Sequence, residues 1–303
     1  MLTGIHAAFI GGDARQLEVI KKFIELDASV TLIGFDTLES NFNGAIKRPL
    51  SPDFLLDVDA LILPIIGSDD SGKVESIFCS KPIQLKDEHF AALPAHCCLY
   101  AGIARSFLKE AVARHGLSLR ELMDRDDVAI YNSIPTVEGA LMVAIQNTDF
   151  TIHSSTSLVL GLGRVGISMA RALHALGAHV RVGARSSADL ARIFEMGLTP
   201  FHIDDLAEHA NHADLIFNTI PHPIITAQVI ANMQHHALIL DLASKPGGTD
   251  FRYAEKRGIK AILAPSLPGI VAPKTAGQII ANTLSQLVFD QAGNRRDRDG
   301  SEG

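Results

Sequence analysis

Residues 157–187 read SLVLGLGRVGISMARALHALGAHVRVGARSS, and this stretch decides the fold of the 303-residue chain. The short apolar run Ser157–Leu160 predicts a buried strand. The spacing of apolar residues over Val165–Leu176 predicts a helix, and Val180–Val182 predicts the next strand. A GxGxxG sequence joins the first strand to the helix, which is the context of a dinucleotide-binding βαβ unit.

The three glycines of this loop have separate physical roles. Gly161 allows the tight turn, Gly163 lets the backbone approach a pyrophosphate, and Gly166 lets the helix pack closely on the strand. The first N–H groups of the helix supply hydrogen-bond donors and positive potential for the phosphates. We therefore predict that the cofactor-binding residues of this loop are Gly161, Leu162, Gly163, Arg164, Val165 and Gly166.

The end of the second strand indicates which dinucleotide binds. NAD sites usually carry Asp or Glu there to bind the ribose 2′-hydroxyl. In this chain the first carboxylate after the strand residue Val182 is Asp189. Arg185 is suited to pair with a 2′-phosphate, and Ser186 and Ser187 are additional donors. We therefore predict NADP in preference to NAD.

Other strand ends are expected at the same edge of the sheet, because ligands bind outside the carboxyl ends of parallel strands. We expect these segments to surround the nicotinamide and its ribose. Lys245 is also a candidate ligand for a substrate anion or a proton donor. The predicted residues are Asn218, Thr219, Ile220, Pro221, Ala243, Ser244, Lys245, Pro268 and Gly269.

Strand and helix patterns alternate along the chain, which predicts α/β domains with parallel sheets. Further strands are predicted at Ile5–Ile10, Ser29–Phe35, Ala60–Ile66, Cys97–Ala101, Leu215–Thr219, Leu238–Leu242 and Ala261–Leu263. Helices are predicted at Arg15–Glu25, Pro135–Asp149 and Lys274–Phe289. The predicted organisation is a substrate domain over 1–130 completed by a returning helix at 274–290, a connecting helix over 131–151, an NADP-binding Rossmann domain over 152–266, and a disordered tail over 291–303.

The first domain has its own glycine pair, Gly11-Gly12, but lacks the third glycine of the fingerprint. A second dinucleotide site is therefore not expected. Asp13 is a predicted N-cap for the following helix, and Arg15 is a candidate clamp for a substrate carboxylate. Thr136 is likewise predicted to cap the connecting helix.

The catalytic residues are left open by the sequence. The candidates are side chains that can bind an anion or move a proton near the predicted site. They are Arg15, Glu138, Lys245 and Lys274.

Composition limits the classes of function. With 47% hydrophobic and 20% charged residues the chain forms cores, and a net charge of −7 without a basic run argues against nucleic acid and anionic membranes as partners. Three cysteines suit a reducing cytoplasm better than a disulfide framework. No apolar stretch is expected to reach the length of a membrane span. The thirteen histidines lack ligand spacing, so no metal is predicted.

Longer motifs resemble one family. They are GGDARQ at 11–16, RDDVAIYNSIPTVEGA at 125–140, VGARSSADLARIFEMG at 182–197, LDLASKPGGTDF at 240–251 and APSLPGIVAPKTAGQIIAN at 264–282. Together with GLGRVG they closely resemble the A-subunit family of bacterial dipicolinate synthases, up to about residue 290. The resemblance implies two Rossmann-like domains arranged as in formate and glycerate dehydrogenases, with the cofactor between them.

The resemblance also implies an activity. Such a protein works with a flavoprotein-like B subunit in sporulating cells and converts the cyclic product of aspartate-semialdehyde and pyruvate condensation into dipicolinate. The substrate is a dicarboxylate, and the cytoplasm of the mother cell is the implied location. A homo-oligomer is also expected.

Two alternatives stay open. One is a regulatory subunit that binds NADP without catalysis. The other is a D-2-hydroxy-acid dehydrogenase, which is disfavoured because residues 264–278 contain no histidine to act as the acid–base group of that class.

Overall fold

The computed structural model describes residues 1–39 and 42–301, and it does not describe the side chains of residues 294–301. The chain divides into two compact units. The first unit combines Met1–Ala129 with the segment that begins at Pro273, and the second unit is Ile130–Ala272. The second unit is therefore inserted into the sequence of the first.

The first unit contains a six-stranded parallel sheet. Its strands are β1 (His6–Ile10), β2 (Ser29–Ile33), β3 (Ala45–Arg48), β4 (Ala60–Ile62), β7 (Cys98–Ala101) and β8 (Ser118–Glu121). Across the sheet they follow the order β3-β2-β1-β4-β7-β8. Strands β5 (Lys73–Val74) and β6 (Ile83–Gln84) form a separate antiparallel ribbon.

The second unit contains another six-stranded parallel sheet. Its strands are β9 (Thr156–Leu160), β10 (His179–Ala184), β11 (Thr199–His202), β12 (Leu215–Asn218), β13 (Leu238–Asp241) and β14 (Lys260–Leu263). Their order is β11-β10-β9-β12-β13-β14. Counted within the unit, this order is 3-2-1-4-5-6, the order of dinucleotide-binding sheets. The predicted fold class, two Rossmann-like domains with parallel sheets, is confirmed.

Helices pack on the sheets through buried apolar residues. The first unit has α1 (Ala14–Glu25), α2 (Asp87–Ala91), α3 (Ser106–Arg114) and α11 (Pro273–Ser301). The second has α5 (Arg164–Ala175), α6 (Ser187–Glu195), α7 (Leu206–Ala210), α8 (Ala227–Ala231), α9 (Phe251–Arg257) and α10 (Leu267–Val271). Helix α4 (Asp126–Asn147) begins in the first unit and continues into the second.

Within the two six-stranded sheets, the strands that sequence patterns missed are edge strands. β3, β8 and β11 lie at the edges of their sheets, and Phe201 is the one buried residue among the three strands. An edge strand needs no continuous apolar run, because only part of its surface is buried. The central strands β1, β9 and β12 are almost entirely buried and carry the apolar runs that predicted them.

Helix α4 begins at Asp126, nine residues before the predicted start at Pro135, which lies inside the helix. The Oγ1 atom of Thr136 donates to the carbonyl of Asn132 at 2.8 Å, so the predicted capping role of Thr136 is wrong. Proline removes one N–H donor and strains a helix without necessarily ending it. The expectation that Pro135 marked the helix start therefore failed.

Helix α4 also corrects the expectation about membrane spans. With 22 residues it is long and apolar enough, by length and composition, to cross a membrane. The mean hydropathy of an 18-residue stretch within it is 1.4. Glu138 is its one charged residue after Asp127. A core helix meets the same criterion, and Val137, Ala140 and Ala144 of α4 are buried in the core of the second unit.

Helix α11 supplies a buried stripe to the core of the first unit. Ile280, Ala281, Leu284 and Val288 are spaced to lie on one face, and they pack with residues of α1 and the sheet. The helix continues to Ser301, whereas a disordered tail was expected from residue 291. Polar residues such as Gln, Arg and Asp do not prevent helix formation. Residues 302 and 303 of the predicted tail lie outside the described residues.

Gly277 permits the close approach of α11 to α1. A Cβ atom at this position would lie 2.5 Å from the carbonyl oxygen of Arg15. We expect Gly277→Ala to lower the free energy of unfolding by about 1–3 kcal/mol, because the backbone has to shift. At Gly293 of the same helix a Cβ would meet nothing within 4 Å. Gly293→Ala should therefore raise stability by up to about 1 kcal/mol. Urea unfolding of both variants checks this, and equal effects would contradict it.

Candidate functional site

The glycine-rich loop leads from β9 into α5 in the predicted way. Gly161 has a φ of 97°, in the left-handed region that favours glycine. A Cβ there would also lie 2.7 Å from the Oγ1 atom of Thr219. At Gly166 a Cβ would collide with the carbonyl oxygen of Gly161. Both positions therefore require glycine for the loop to close on the helix.

Gly163 differs from the other two glycines because the space beside it is open. A Cβ at Gly163 would meet nothing within 4 Å. Gly163 is the N-cap of α5, and no side-chain hydrogen bond caps the helix. The first N–H groups of a helix have no partner within it. An open cradle at a helix N-terminus fits the pyrophosphate of a dinucleotide.

The residues that follow β10 are the second group that the sequence predicts to bind the cofactor. Arg185 is exposed, and its side chain forms no hydrogen bond or ion pair with any described residue. Ser186 is the N-cap of α6, and its Oγ atom accepts a hydrogen bond from the Asp189 N–H at 3.0 Å. Ser187 is the first residue of that helix. A guanidinium and a helix N-terminus thus lie together at this strand end, and both favour anions.

A buried polar pair joins the ends of β12 and β13. Asn218 and Asp241 are both completely buried. The Nδ2 atom of Asn218 donates to Oδ1 of Asp241 at 3.0 Å and to the carbonyl of Ile220 at 3.1 Å. In return, the Ile220 N–H donates to Oδ1 of Asn218 at 3.0 Å. Asn218 therefore fixes the loop after its own strand.

Asp241 fixes the neighbouring loop. Its carboxylate accepts from the N–H groups of Ala243 at 3.1 Å and Gly248 at 2.7 Å, and from Oγ1 of Thr249 at 2.6 Å. Sequence reasoning assigned no role to Asp241 or Thr249. The available signal was an aspartate ending an apolar strand before two glycines, since a buried carboxylate needs several donors.

The network brings most of the predicted strand-end residues to one edge of the second sheet. Thr219 reaches the glycine loop, donating through its Oγ1 atom to the carbonyl of Leu160 at 2.8 Å. Ala264, at the end of β14, donates its N–H to the carbonyl of Asp241 at 2.9 Å. Pro268 is buried in the short helix α10, two residues after Ser266. The exposed residues at this edge include Pro221, Ser244 and Lys245.

Arg15 is not a free cation. Its Nη2 atom lies 2.5 Å from Oδ2 of Asp13, and its side chain is only 12% exposed. Asp13 also accepts the Arg15 N–H at 3.0 Å, which confirms its predicted role as N-cap of α1. Burial raises the pKa of Asp13, but hydrogen bonds and charge from Arg15 outweigh this and hold the pKa below its ordinary value. A substrate carboxylate at Arg15 would therefore compete with Asp13.

The glycine pair of the first unit is covered by other chain segments. The Gly12 N–H donates to the carbonyl of Glu75 at 2.9 Å, and the Ile77 N–H donates to the carbonyl of Gly12 at 3.0 Å. A Cβ at Gly11 would lie 2.8 Å from the Glu75 carbonyl oxygen. This loop lacks the open space found at Gly163, although both follow the first strand of their sheets.

The other catalytic candidates are exposed side chains in different units. Glu138 on α4 and Lys245 after β13 belong to the second unit. Lys274 lies at the start of α11 in the first unit, and this helix packs on α1, which carries Arg15. Their catalytic roles stay predictions.

Comparison with known proteins identifies the family. A family model for the N-terminal domain of the dipicolinate synthase A subunit matches residues 6–123, and one for the alanine dehydrogenase/PNT C-terminal domain matches residues 132–297. The dipicolinate synthase A subunit of Bacillus subtilis (strain 168) is 54% identical over 290 residues, covering 96% of this chain and 98% of the relative. The chain belongs to the family of dipicolinate synthase A subunits.

Solved structures agree with this family membership. The crystal structure of the dipicolinate synthase A subunit from Bacillus halodurans superimposes with a TM-score of 0.93 at 54% identity, covering 95% of this chain and 99% of that one. A transhydrogenase from Sinorhizobium meliloti shares the fold, with a TM-score of 0.65 at 16% identity and 93% and 94% coverage. The dehydrogenase-type domain implies a nicotinamide cofactor.

The open space at Gly163 predicts a variant that separates cofactor binding from folding. We expect Gly163→Ala to weaken nicotinamide dinucleotide binding by about tenfold or more, ~1.4 kcal/mol, because its methyl group occupies the pyrophosphate position. The melting temperature should stay unchanged, since the methyl group meets no protein atom. Gly166→Ala should lower both the affinity for the dinucleotide and the melting temperature. Calorimetric titration and thermal unfolding check this, and unchanged affinity in Gly163→Ala would contradict it.

Proposed function

We propose that this chain is the oxidoreductase subunit of a dipicolinate synthase. It converts the cyclic tetrahydrodipicolinate precursor, formed from aspartate-semialdehyde and pyruvate, into dipicolinate with NADP as the electron acceptor. The observation that supports the proposal most directly is the 54% identity across 96% of the chain to the Bacillus subtilis relative.

The reaction has a simple balance. The hydroxylated ring loses one water, and aromatisation then releases one hydride and one proton. Bound NADP supplies the acceptor for that hydride. Because the product is aromatic, departure of the hydride is downhill, and a weak base is sufficient to take the proton. The exposed candidates for taking this proton are Glu138 and Lys245.

Different residues of the second unit bind different parts of the cofactor. The N–H groups beside Gly163 bind the pyrophosphate, and Arg185 with Ser186 and Ser187 binds the 2′-phosphate. The absence of a carboxylate between β10 and Asp189 favours NADP over NAD. The Asn218–Asp241 pair keeps the loops around the nicotinamide in place.

A dicarboxylate substrate needs cations or N–H groups at both ends. Lys245 and Lys274 are the candidates whose ammonium groups are exposed, whereas Arg15 is engaged by Asp13. We propose that Lys245 binds one substrate carboxylate, because it belongs to the loop that Asp241 fixes next to the predicted nicotinamide position.

The family also suggests where and with what the chain works. The Bacillus subtilis relative is one subunit of a synthase, which implies a partner. We propose that this partner is the flavoprotein-like B subunit, that the protein also forms a homo-oligomer, and that it acts in the cytoplasm of the mother cell during sporulation.

Turnover with purified components tests the function. The cyclic precursor, generated by condensing aspartate-semialdehyde with pyruvate, is supplied with NADP to the protein with and without its B subunit. We expect equal amounts of dipicolinate and NADPH, followed by ultraviolet absorbance. Tight NADP binding without turnover in the presence of the partner would favour a regulatory role. Reduction of NADP by D-2-hydroxy acids would favour the dehydrogenase alternative.

The 2′-phosphate assignment predicts a selective loss of affinity. We expect Arg185→Asp to raise the Kd for NADP about 100-fold, through loss of a charge-assisted pair and gain of repulsion, ~2.7 kcal/mol. The Kd for NAD should change less than about threefold. Arg192→Asp is the matched control, because Arg192 on α6 pairs with Glu195 at 3.0 Å. Titration of both cofactors checks this, and equal losses for NADP and NAD would refute the assignment.

A further inference from the structure

The carboxylate of Asp241 has the surroundings of a buried anion. The Ile220 N–H donates to Oδ1 of Asn218, which sets the amide so that Nδ2 points to Asp241. The other partners are the N–H groups of Ala243 and Gly248 and the hydroxyl of Thr249. All four partners donate, so both carboxylate oxygens act only as acceptors. This is the hydrogen-bonding pattern of an ionised carboxylate.

Among the side chains that the structure describes, in residues 1–39 and 42–293, no counter-ion forms an ion pair with this charge. Asp241 is 0% exposed, and no described Lys, Arg or His side chain forms an ion pair with it. Buried charges are usually paired with an opposite charge, because removal from water is costly. Hydrogen bonds satisfy the oxygens of Asp241, and no ion pair with a described side chain neutralises its charge.

The charge lies where a nicotinamide ring is expected. Asp241 ends β13 and is level with Asn218 of β12, which is in turn level with Leu160 of β9. Leu160 directly precedes the glycine loop. In this strand order the first half of the sheet binds one nucleotide and the second half, here β12 to β14, binds the other. A buried negative charge thus lies at the carboxyl edge of the nicotinamide half.

We propose that the charge of Asp241 makes this site bind the oxidised nicotinamide cofactor in preference to the reduced one. This rests on the proposed function, in which the second unit holds the cofactor. The oxidised ring carries a positive charge and the reduced ring is neutral, so the fixed anion attracts only the oxidised form. Attraction inside protein is screened far less than in water.

Such a preference suits an enzyme that consumes oxidised cofactor. It promotes uptake of the oxidised form and release of the reduced product. The same preference makes the bound cofactor a weaker hydride acceptor. Aromatisation of the substrate ring offsets this loss, because it makes hydride release strongly favourable.

Asp241→Asn tests the proposal through a ratio of affinities. Titration gives the Kd values of the oxidised and reduced cofactor for the wild type and the variant, using whichever of NADP or NAD binds more tightly. We expect the ratio to shift about tenfold toward the reduced form, the size of a partly screened interaction of unit charges. Loosening of the loops alone would weaken both forms equally and leave the ratio unchanged, which would overturn the proposal.

Asp214→Asn is the matched control at the opposite end of β12. Its carboxylate accepts the Thr156 N–H at 2.7 Å and lies 2.8 Å from Nε2 of His236. Removing this charge should leave the ratio of affinities unchanged. An equal shift in both variants would show an effect of net charge and overturn the proposal.

The wild type provides a test that does not depend on folding of the variant. It should bind the oxidised form more tightly, and a preference for the reduced form would overturn the proposal. A ratio that shifts as expected in a chain that turns over no precursor would support the proposal and contradict only the proposed function. If neither NADP and NADPH nor NAD and NADH bind, both this proposal and the proposed function are overturned.

Discussion

The hydrogen bonds that converge on the buried carboxylate of Asp241 hold the site-forming edge of the second sheet together. They connect Asn218 at the end of β12 with Gly248 and Thr249 of the loop after β13. Thr219 extends the connection to the glycine loop after β9. Each loop is irregular backbone whose position depends on these contacts. The geometry available to a cofactor therefore follows from a single buried acidic group and its donors.

The two units share one topology but differ in the space beside their glycine loops. Both sheets have six main strands in equivalent order, and each has glycines after its first strand. In the first unit the segment around Glu75 hydrogen-bonds to Gly12 and fills the space. In the second unit the space beside Gly163 stays open and leads to the N-terminus of α5. Access to the loop, and not the strand order, distinguishes the two.

Sequence patterns predicted the elements whose burial is continuous. The runs that became β1, β9, β12 and β13 are apolar because both sides of a central parallel strand are covered. The exposed edge strands β3, β8 and β11 carry no such signal. The sequence pattern predicts a start of α4 at Pro135, which is wrong because Pro135 lies within the helix. Local sequence gives no measure of how far neighbouring packing compensates a lost hydrogen bond.

The amino-acid sequence by itself determined the dinucleotide loop, the cationic end of β10 and the family resemblance. These depend on residues close together in the chain, where spacing and side-chain chemistry are sufficient. Only the tertiary structure decided that Asp13 forms an ion pair with Arg15 and that Asp241 accepts hydrogen bonds from two chain segments. Asn218 and Asp241 are far apart in sequence, and parallel pairing of β12 with β13 brings them level. Whether a charged side chain is free or engaged depends on such pairings, because its partners come from the fold.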